Sequence, residues 1–207
     1  MDVCFSFNVS AQTTKLGSEV LKLSSYIASP FFSSLKNKIN DLSQVDTLFN
    51  EALKITGNNY SEALFALTFS TVPYKNVPIE IPLLKLIINY PLVSADDSLF
   101  NLKNKNLPKY LYFDSPADNF GDKDKLAHFF GSAFLSYYSN IFDLTGLIGY
   151  FVEVFEKDFV VQSSIDVRDL QSDGLGNVFG LLLKKNKDVR PSQVMLINSL
   201  FYLRYHL

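Results

Sequence analysis

The sequence predicts a mainly α protein: a multi-helix bundle with a Pro-rich segment, irregular or short β, near residues 72–92. Three observations predict it. Apolar residues recur at helical spacing through most of the chain, as in Val45, Leu48, Phe49 and Leu53. Pro73, Pro78, Pro82 and Pro91 punctuate a run of β-branched and apolar residues, and prolines so placed do not fit inside a central strand. The chain is 47% hydrophobic over 207 residues, enough to bury a sizeable core, which 19 Phe, 11 Tyr and no Trp make aromatic-rich.

The first residues, 5–12, resemble the end of a secretory signal. Val9 and Ala11 occupy the small-residue positions before a cleavage at Gln12, although the positive n-region is missing and Asp2 has the opposite sign. Residues 1–11 are accordingly read as a signal-peptide remnant, and the protein as exported, periplasmic or associated with the outer envelope. A helix is expected over 16–28, stopped by Pro30. A second runs over 43–55 with Ser43 as N-cap. After a break at Gly57-Asn58-Asn59, a third covers 61–69, antiparallel to the second because the turn is short. Residues 72–92 read as an edge hairpin or a docked irregular loop, and 84–90 fit a short strand and a helical turn equally well. Residues 95–122 are polar and turn-rich, a long connection containing a module boundary, although Tyr110-Leu111-Tyr112-Phe113 calls for burial. Helices are then expected at 122–140, 143–158, 166–184 and 191–206, with Pro191 in the first turn of the last. This divides the chain into an N-terminal helical and irregular module, 12–115, and a helical domain, 116–207.

Composition excludes several functions. A net charge of -2 gives no basic footprint for nucleic acid. Cys4 is the only cysteine, so neither an internal disulfide nor a multi-thiolate metal site can form in the monomer. His128 and His206 are the only histidines, too few for the common zinc sites. The longest apolar windows, 126–138, 144–154 and 175–183, are shorter than a membrane span. No phosphate loop, Gly-x-Ser-x-Gly elbow or His-Glu-x-x-His motif is present.

What stands out is a set of polar residues inside apolar helical segments. Asp124 and His128 are four apart and share a helix face, where a carboxylate would orient the imidazole and raise its pKa. Lys125, one residue on, points about 100° around the helix. Glu153 and Glu156 follow; Glu153 either pairs with Lys157 at the surface or turns inward toward His128. Asp169, Asp173 and Asn177 form an i, i+4, i+8 line. A helix start explains Asp169 cheaply; Asp173 and Asn177 are harder to dismiss, because burying such groups unpaired costs several kcal/mol. Gly174, Gly176 and Gly180 are unfavourable in a helix. The Gly176–Gly180 pair has the small-xxx-small spacing that lets helices approach closely, with Gly131, Ser132 and Ala133 as a facing surface.

Read in order, Asp124-Lys125-x-x-His128-Phe129, a Glu in the next helix, then Arg168-Asp169, Asp173 and Asn177-x-x-Gly180 resemble the YfiM-like periplasmic lipoproteins. They also echo the motifs of VanZ-like membrane proteins. The resemblance covers about residues 120–185. Asp143, Glu153 and Glu156 interrupt these segments where VanZ-like helices are continuously apolar, which favours the YfiM-like version, and Gln162 follows Glu156 by six. The resemblance implies a cell-envelope setting and a shared polar cluster, not a reaction.

Three functional classes remain open. In the first, His128, Glu153, Asp173 and Asn177 converge between helices in a structural network of an envelope-associated binding or scaffold protein, with a membrane surface or an envelope protein as partner and no cofactor. In the second, His128 is the general base of a hydrolase or transferase acting on envelope lipid or cell wall, Asp124 its orienter, and Glu153 or Asp173 a second acid-base group. In the third, Glu153, Asp169 and Asp173 hold a divalent cation such as calcium or magnesium.

Overall fold

The computed structural model describes residues 15–81, 86–91, 96–138 and 167–206. Within them the elements run α1 (Lys15–Ala28), α2 (Pro30–Leu35), α3 (Asp41–Ile55), α4 (Tyr60–Thr71), β1 (Asn76–Ile81), β2 (Leu86–Pro91), α5 (Asp97–Asn106), α6 (Lys123–Tyr138), α7 (Val167–Lys185) and α8 (Pro191–His206). The mainly α bundle expected from the apolar spacing is the fold observed.

Helix α4 is the axis of the bundle. Ala63, Leu64, Ala66, Leu67 and Phe69 are all buried, so its apolar surface runs around the helix rather than along one stripe. Its buried hydroxyls are satisfied within the helix: Thr68 donates to the Leu64 carbonyl and Thr71 to that of Leu67, at 2.9 and 2.8 Å. Helices α1, α3 and α6 cover it. α1 presents Val20, Leu23, Ser24 and Ile27, and α3 presents Val45, Leu48, Phe49 and Ala52, each set at the i, i+3, i+4, i+7 spacing of a buried face.

The core is continuous across the boundary placed near residue 115. Phe65 of α4 stacks on Phe134 of α6, with centroids 4.6 Å apart. Phe179 of α7 meets Phe49 edge-on and stacks on Phe129, both at 5.4 Å. Burying a side chain such as Phe179 stabilises the fold by about 2–3 kcal/mol. α8 is tied to α3 by Asp46, which accepts from the Ser192 backbone N–H and hydroxyl at 2.9 and 2.6 Å. Pro191 opens α8, as its fixed φ favours.

Three expectations are corrected in detail. Pro30 does not merely stop α1; capped by Ser29, it starts the short helix α2. The N-cap of α3 is Asn40, whose Oδ1 accepts from the Ser43 N–H at 2.8 Å, so Ser43 lies inside the helix. The polar connection 95–122 contains α5, started by Asp96 accepting from the Ser98 and Leu99 N–H groups. α5 closes the end of α4: buried Lys103 donates to the carbonyls of Ser70 and Val72 at 2.9 and 2.7 Å and lies over the Phe100 ring. A cation at a helix C-terminus suits the macrodipole. Burial pushes its ammonium down to about 7.

Of the two readings left open for residues 72–92, the hairpin is the one observed. β1 and β2 pair antiparallel, with Asn76 opposite Pro91 and Ile79 opposite Ile88. Among the described residues the sheet has two strands, so both are edges, which is where Pro78 is tolerated. The expected helix at 143–158, with Glu153 and Glu156, lies outside the described residues, as do the signal-like residues 1–11.

Candidate functional site

Helices α6 and α7 are parallel, because their cross-contacts advance together. Lys125 Nζ meets Asp169 Oδ1 at 2.5 Å, His128 Nδ1 meets Asp173 Oδ1 at 3.3 Å, and Ser136 Oγ donates to the Asn177 carbonyl at 3.1 Å. The buried stripe of α7, Ser172, Gly176, Phe179, Gly180 and Leu183, faces this contact. Gly176 lies against the Phe129 carbonyl and Gly180 against the Ala133 carbonyl and Ser136 Oγ, so closely that a Cβ at either would overlap them. Gly174 has open space where its Cβ would be, so close packing does not account for that glycine. The atoms nearest to where those Cβ atoms would lie belong to Phe129, Ala133, Ser136 and Tyr137.

The close approach brings the polar residues into one ladder. Lys125 is buried, and its ammonium lies between Asp124 Oδ2 at 2.9 Å and Asp169. It therefore turns toward Asp124 instead of pointing away from it. His128 faces carboxylates with both ring nitrogens: Nδ1 toward Asp173 and Nε2 toward Asp169 Oδ1 at 3.5 Å. Ser132 Oγ donates to the same Asp173 oxygen at 2.8 Å. The carboxylate that orients His128 is thus Asp173, across the helix pair, and Asp124 is engaged by Lys125. Asn177 does not join the buried cluster. Its side chain is exposed, and the contact it makes to α6 is through its backbone carbonyl.

Burial lowers the affinity of His128 for its proton, but the hydrogen bond to Asp173 and the charges of Asp173, Asp169 and Asp124 together outweigh it and raise the pKa above the ordinary 6.5. The linkage has a definite sign. A group protonated more readily in the folded state stabilises fully below its unfolded pKa, and that stabilisation is lost as pH rises through the folded value. Thermal unfolding between about pH 6 and 9 should show this: Tm falls with rising pH above 6.5, and His128→Gln removes that part of the slope.

A second cluster anchors the starts of both helices. The Asp122 carboxylate is fully buried just before α6. It pairs with Arg168 Nη2, accepts from the Ser115 hydroxyl, and accepts from the Leu111 N–H at 3.1 Å. Burial pushes this carboxyl up, while Ser115, Arg168 and the backbone N–H groups pull it down. Arg168 Nη1 also donates to the Asp114 carbonyl at 2.5 Å. Gly121, at φ 58°, makes the turn into α6 and packs on the Lys109 backbone, where a side chain would clash. Next to these, the Tyr112 hydroxyl and Ser172 Oγ are 2.9 Å apart. As an acid at a helix start Asp122 has an ordinary local explanation, so sequence reasoning did not single it out and missed this anchor. The Gly-Asp pair before the helix was the available signal, because a glycine there indicates a tight turn that can bury the next residue.

Beside the ladder, Ser132, Leu135, Ser136, Asp173, Gly174, Asn177 and Leu181 line a shallow groove of about 490 Å³. Among the described residues no three His, Cys, Asp or Glu side chains are placed to share a metal ion. Where Asp124 and Asp169 come together, the Lys125 ammonium occupies the position between them. Among the described residues no helix is long and apolar enough to cross a membrane. No protein family, curated protein or solved structure matches the chain. The likeness to the YfiM-like lipoproteins therefore rests on the motif residues alone.

Proposed function

We propose that the protein is an envelope-associated binding or scaffold protein in which the Lys125–His128–Asp169–Asp173 ladder holds α6 and α7 in register. The observation that carries this reading is the double engagement of His128. A general base needs a free nitrogen lone pair, whereas both nitrogens of this imidazole face carboxylates, whose charges favour its protonated form. The hydroxyl at hand is also wrongly directed for nucleophilic chemistry. Ser132 donates to Asp173, a weak base, and not to His128. Pairing each charge across two helices that touch at glycines favours one register, since a slip of one turn would leave buried charges unpaired. The envelope setting is supported by the YfiM-like order of these same residues and by the signal-like start.

Thermal unfolding of the full chain, wild type beside His128→Ala and Asp173→Ala, tests the reading. Each variant is expected to lose about 1–3 kcal/mol, because each removes one partner from a largely buried charge. Neither EDTA nor millimolar calcium or magnesium should shift Tm. Variants as stable as wild type would contradict a structural role. A metal-dependent rise in Tm abolished by both changes would reassign the cluster as a cation site.

A further inference from the structure

A patch unlike the rest of this acidic chain lies where the loop 107–122 meets the ends of α2 and α5. It carries four lysines. Lys36 Nζ donates to the Lys105 carbonyl at 2.6 Å, which joins the end of α2 to the end of α5. Lys109 Nζ donates to the Asp118 carbonyl at 3.2 Å and lies over the Tyr110 ring at 4.7 Å. Burial and then Lys123 push the Lys36 ammonium down, with Lys109 and Lys105 adding to the effect against Asp41. Among the described residues none of the four forms an ion pair with a carboxylate.

The nearby acids are turned to backbone N–H groups. Asp41 Oδ2 accepts from Lys109 and Tyr110, both at 2.8 Å, and Asp118 Oδ1 accepts from Phe120 and Gly121 at 2.9 and 2.6 Å. Exposed aromatic side chains flank Lys109: Tyr110 lies under its ammonium, and Phe120 follows Asp118, whose carbonyl accepts from Lys109. Tyr110 is 45% exposed and Phe120 40%, and the exposed Tyr74 ring lies 6.3 Å from that of Phe120.

A cluster of like charges costs free energy unless something of opposite sign completes it, and exposed aromatic rings next to lysines suit the boundary between water and lipid. We propose that this patch, built from Lys36, Lys105, Lys109 and Lys123 with Tyr110, Phe120 and Tyr74, docks the protein on an anionic lipid bilayer. The ammonium groups meet lipid phosphates, and the rings enter the headgroup layer. Charge and insertion act together, which suits reversible surface binding by a chain with no described spanning helix. The inference deepens the envelope-associated reading but does not depend on the α6–α7 ladder, so its failure would leave the ladder's coupling energies untouched.

Sedimentation of the full chain with vesicles tests it. Vesicles of phosphatidylcholine mixed with phosphatidylglycerol are expected to pull the protein down, and vesicles of phosphatidylcholine alone are not. Binding to the anionic vesicles should weaken as salt rises. Lys36→Gln, Lys109→Gln and Lys123→Gln, all confirmed folded by their Tm, should each lower the partition coefficient about fivefold. Phe120→Ser should lower it too, and Lys54→Gln, whose partner is Glu51 on α3, should leave it unchanged. Equal binding to both kinds of vesicle, no binding to the anionic ones, or equal effects of Lys54→Gln and the patch variants would overturn the proposal. So would a single-stranded oligonucleotide that binds the patch and displaces the vesicles, since that would mark it as a nucleic-acid surface.

Discussion

Arg168→Ala should lower the free energy of unfolding by about 3–5 kcal/mol. The reason lies at the other end of the ion pair. The Asp122 carboxylate is fully buried, and Arg168 is its cationic partner among the described residues. Without the guanidinium, Asp122 keeps the Ser115 hydroxyl and the Leu111 N–H but must hold its charge without compensation or take up a proton. The α7 side loses as well, since Arg168 ties the start of that helix to the Asp114 carbonyl. Urea unfolding of Arg168→Ala, Asp122→Asn and the double variant closes a thermodynamic cycle. The double variant should be more stable than the sum of the single losses predicts, because a neutral amide in place of the carboxylate needs no counter-charge. Strict additivity would mean that the pair contributes nothing as a pair.

Gly176→Ala is the second large effect, at about 2–3 kcal/mol, and its sign is the informative part. Alanine is the better helix former by about 1 kcal/mol, so in an open helix the change stabilises. Here the new Cβ would overlap the Phe129 carbonyl, a backbone atom of α6 that cannot rotate away, and the two helices would have to move apart. Separation would also lengthen the contacts of Lys125 and His128 to α7. Two residues earlier, Gly174 faces open space, and Gly174→Ala should stabilise by up to about 1 kcal/mol. Chemical denaturation of the two variants side by side checks both signs. Stabilisation by both would mean that α6 and α7 do not touch at Gly176.

The fold class was legible because most helices show their buried face as spacing. Val45, Leu48, Phe49 and Leu53 announce α3, and Gly176 with Gly180 announces a close helix contact. The elements that were misjudged lack that signal. α5 buries Phe100, Lys103 and Asn106, of which one is apolar, so its periodicity is hidden by a lysine and an asparagine that act as hydrogen-bond donors to other helices. The residues of the ladder were visible in the sequence as polar side chains on apolar helices. Their pairing was not, because it depends on α6 and α7 running parallel, and spacing within one helix carries no information about the direction of its neighbour. On one helix Asp124 is the natural partner of His128. Across the pair, Asp173 takes that place and Lys125 claims Asp124. Asn177 shows the opposite failure. It falls on the same line as Asp169 and Asp173, but eight residues along, the line has turned out of the interface, and its carbonyl is the group that reaches α6.

Arg168 and Asp122 show how far local reading goes. Each has an ordinary local explanation, an acid at a helix start and a base near another. Only the packing of 107–122 over the starts of α6 and α7 turns them into a buried pair.

The ladder stands or falls on the protonation of His128. With two histidines in the chain, a proton NMR titration resolves the imidazole of His128 directly, and His128→Gln assigns it. A pKa above 6.5 that drops in Asp173→Asn, and in Asp169→Asn, is the predicted result: a cationic histidine held between two carboxylates that join α6 to α7. A pKa at or below 6.5, unchanged by either substitution, would contradict it, leaving a neutral imidazole free to act as a base and reopening the case for catalysis at this site.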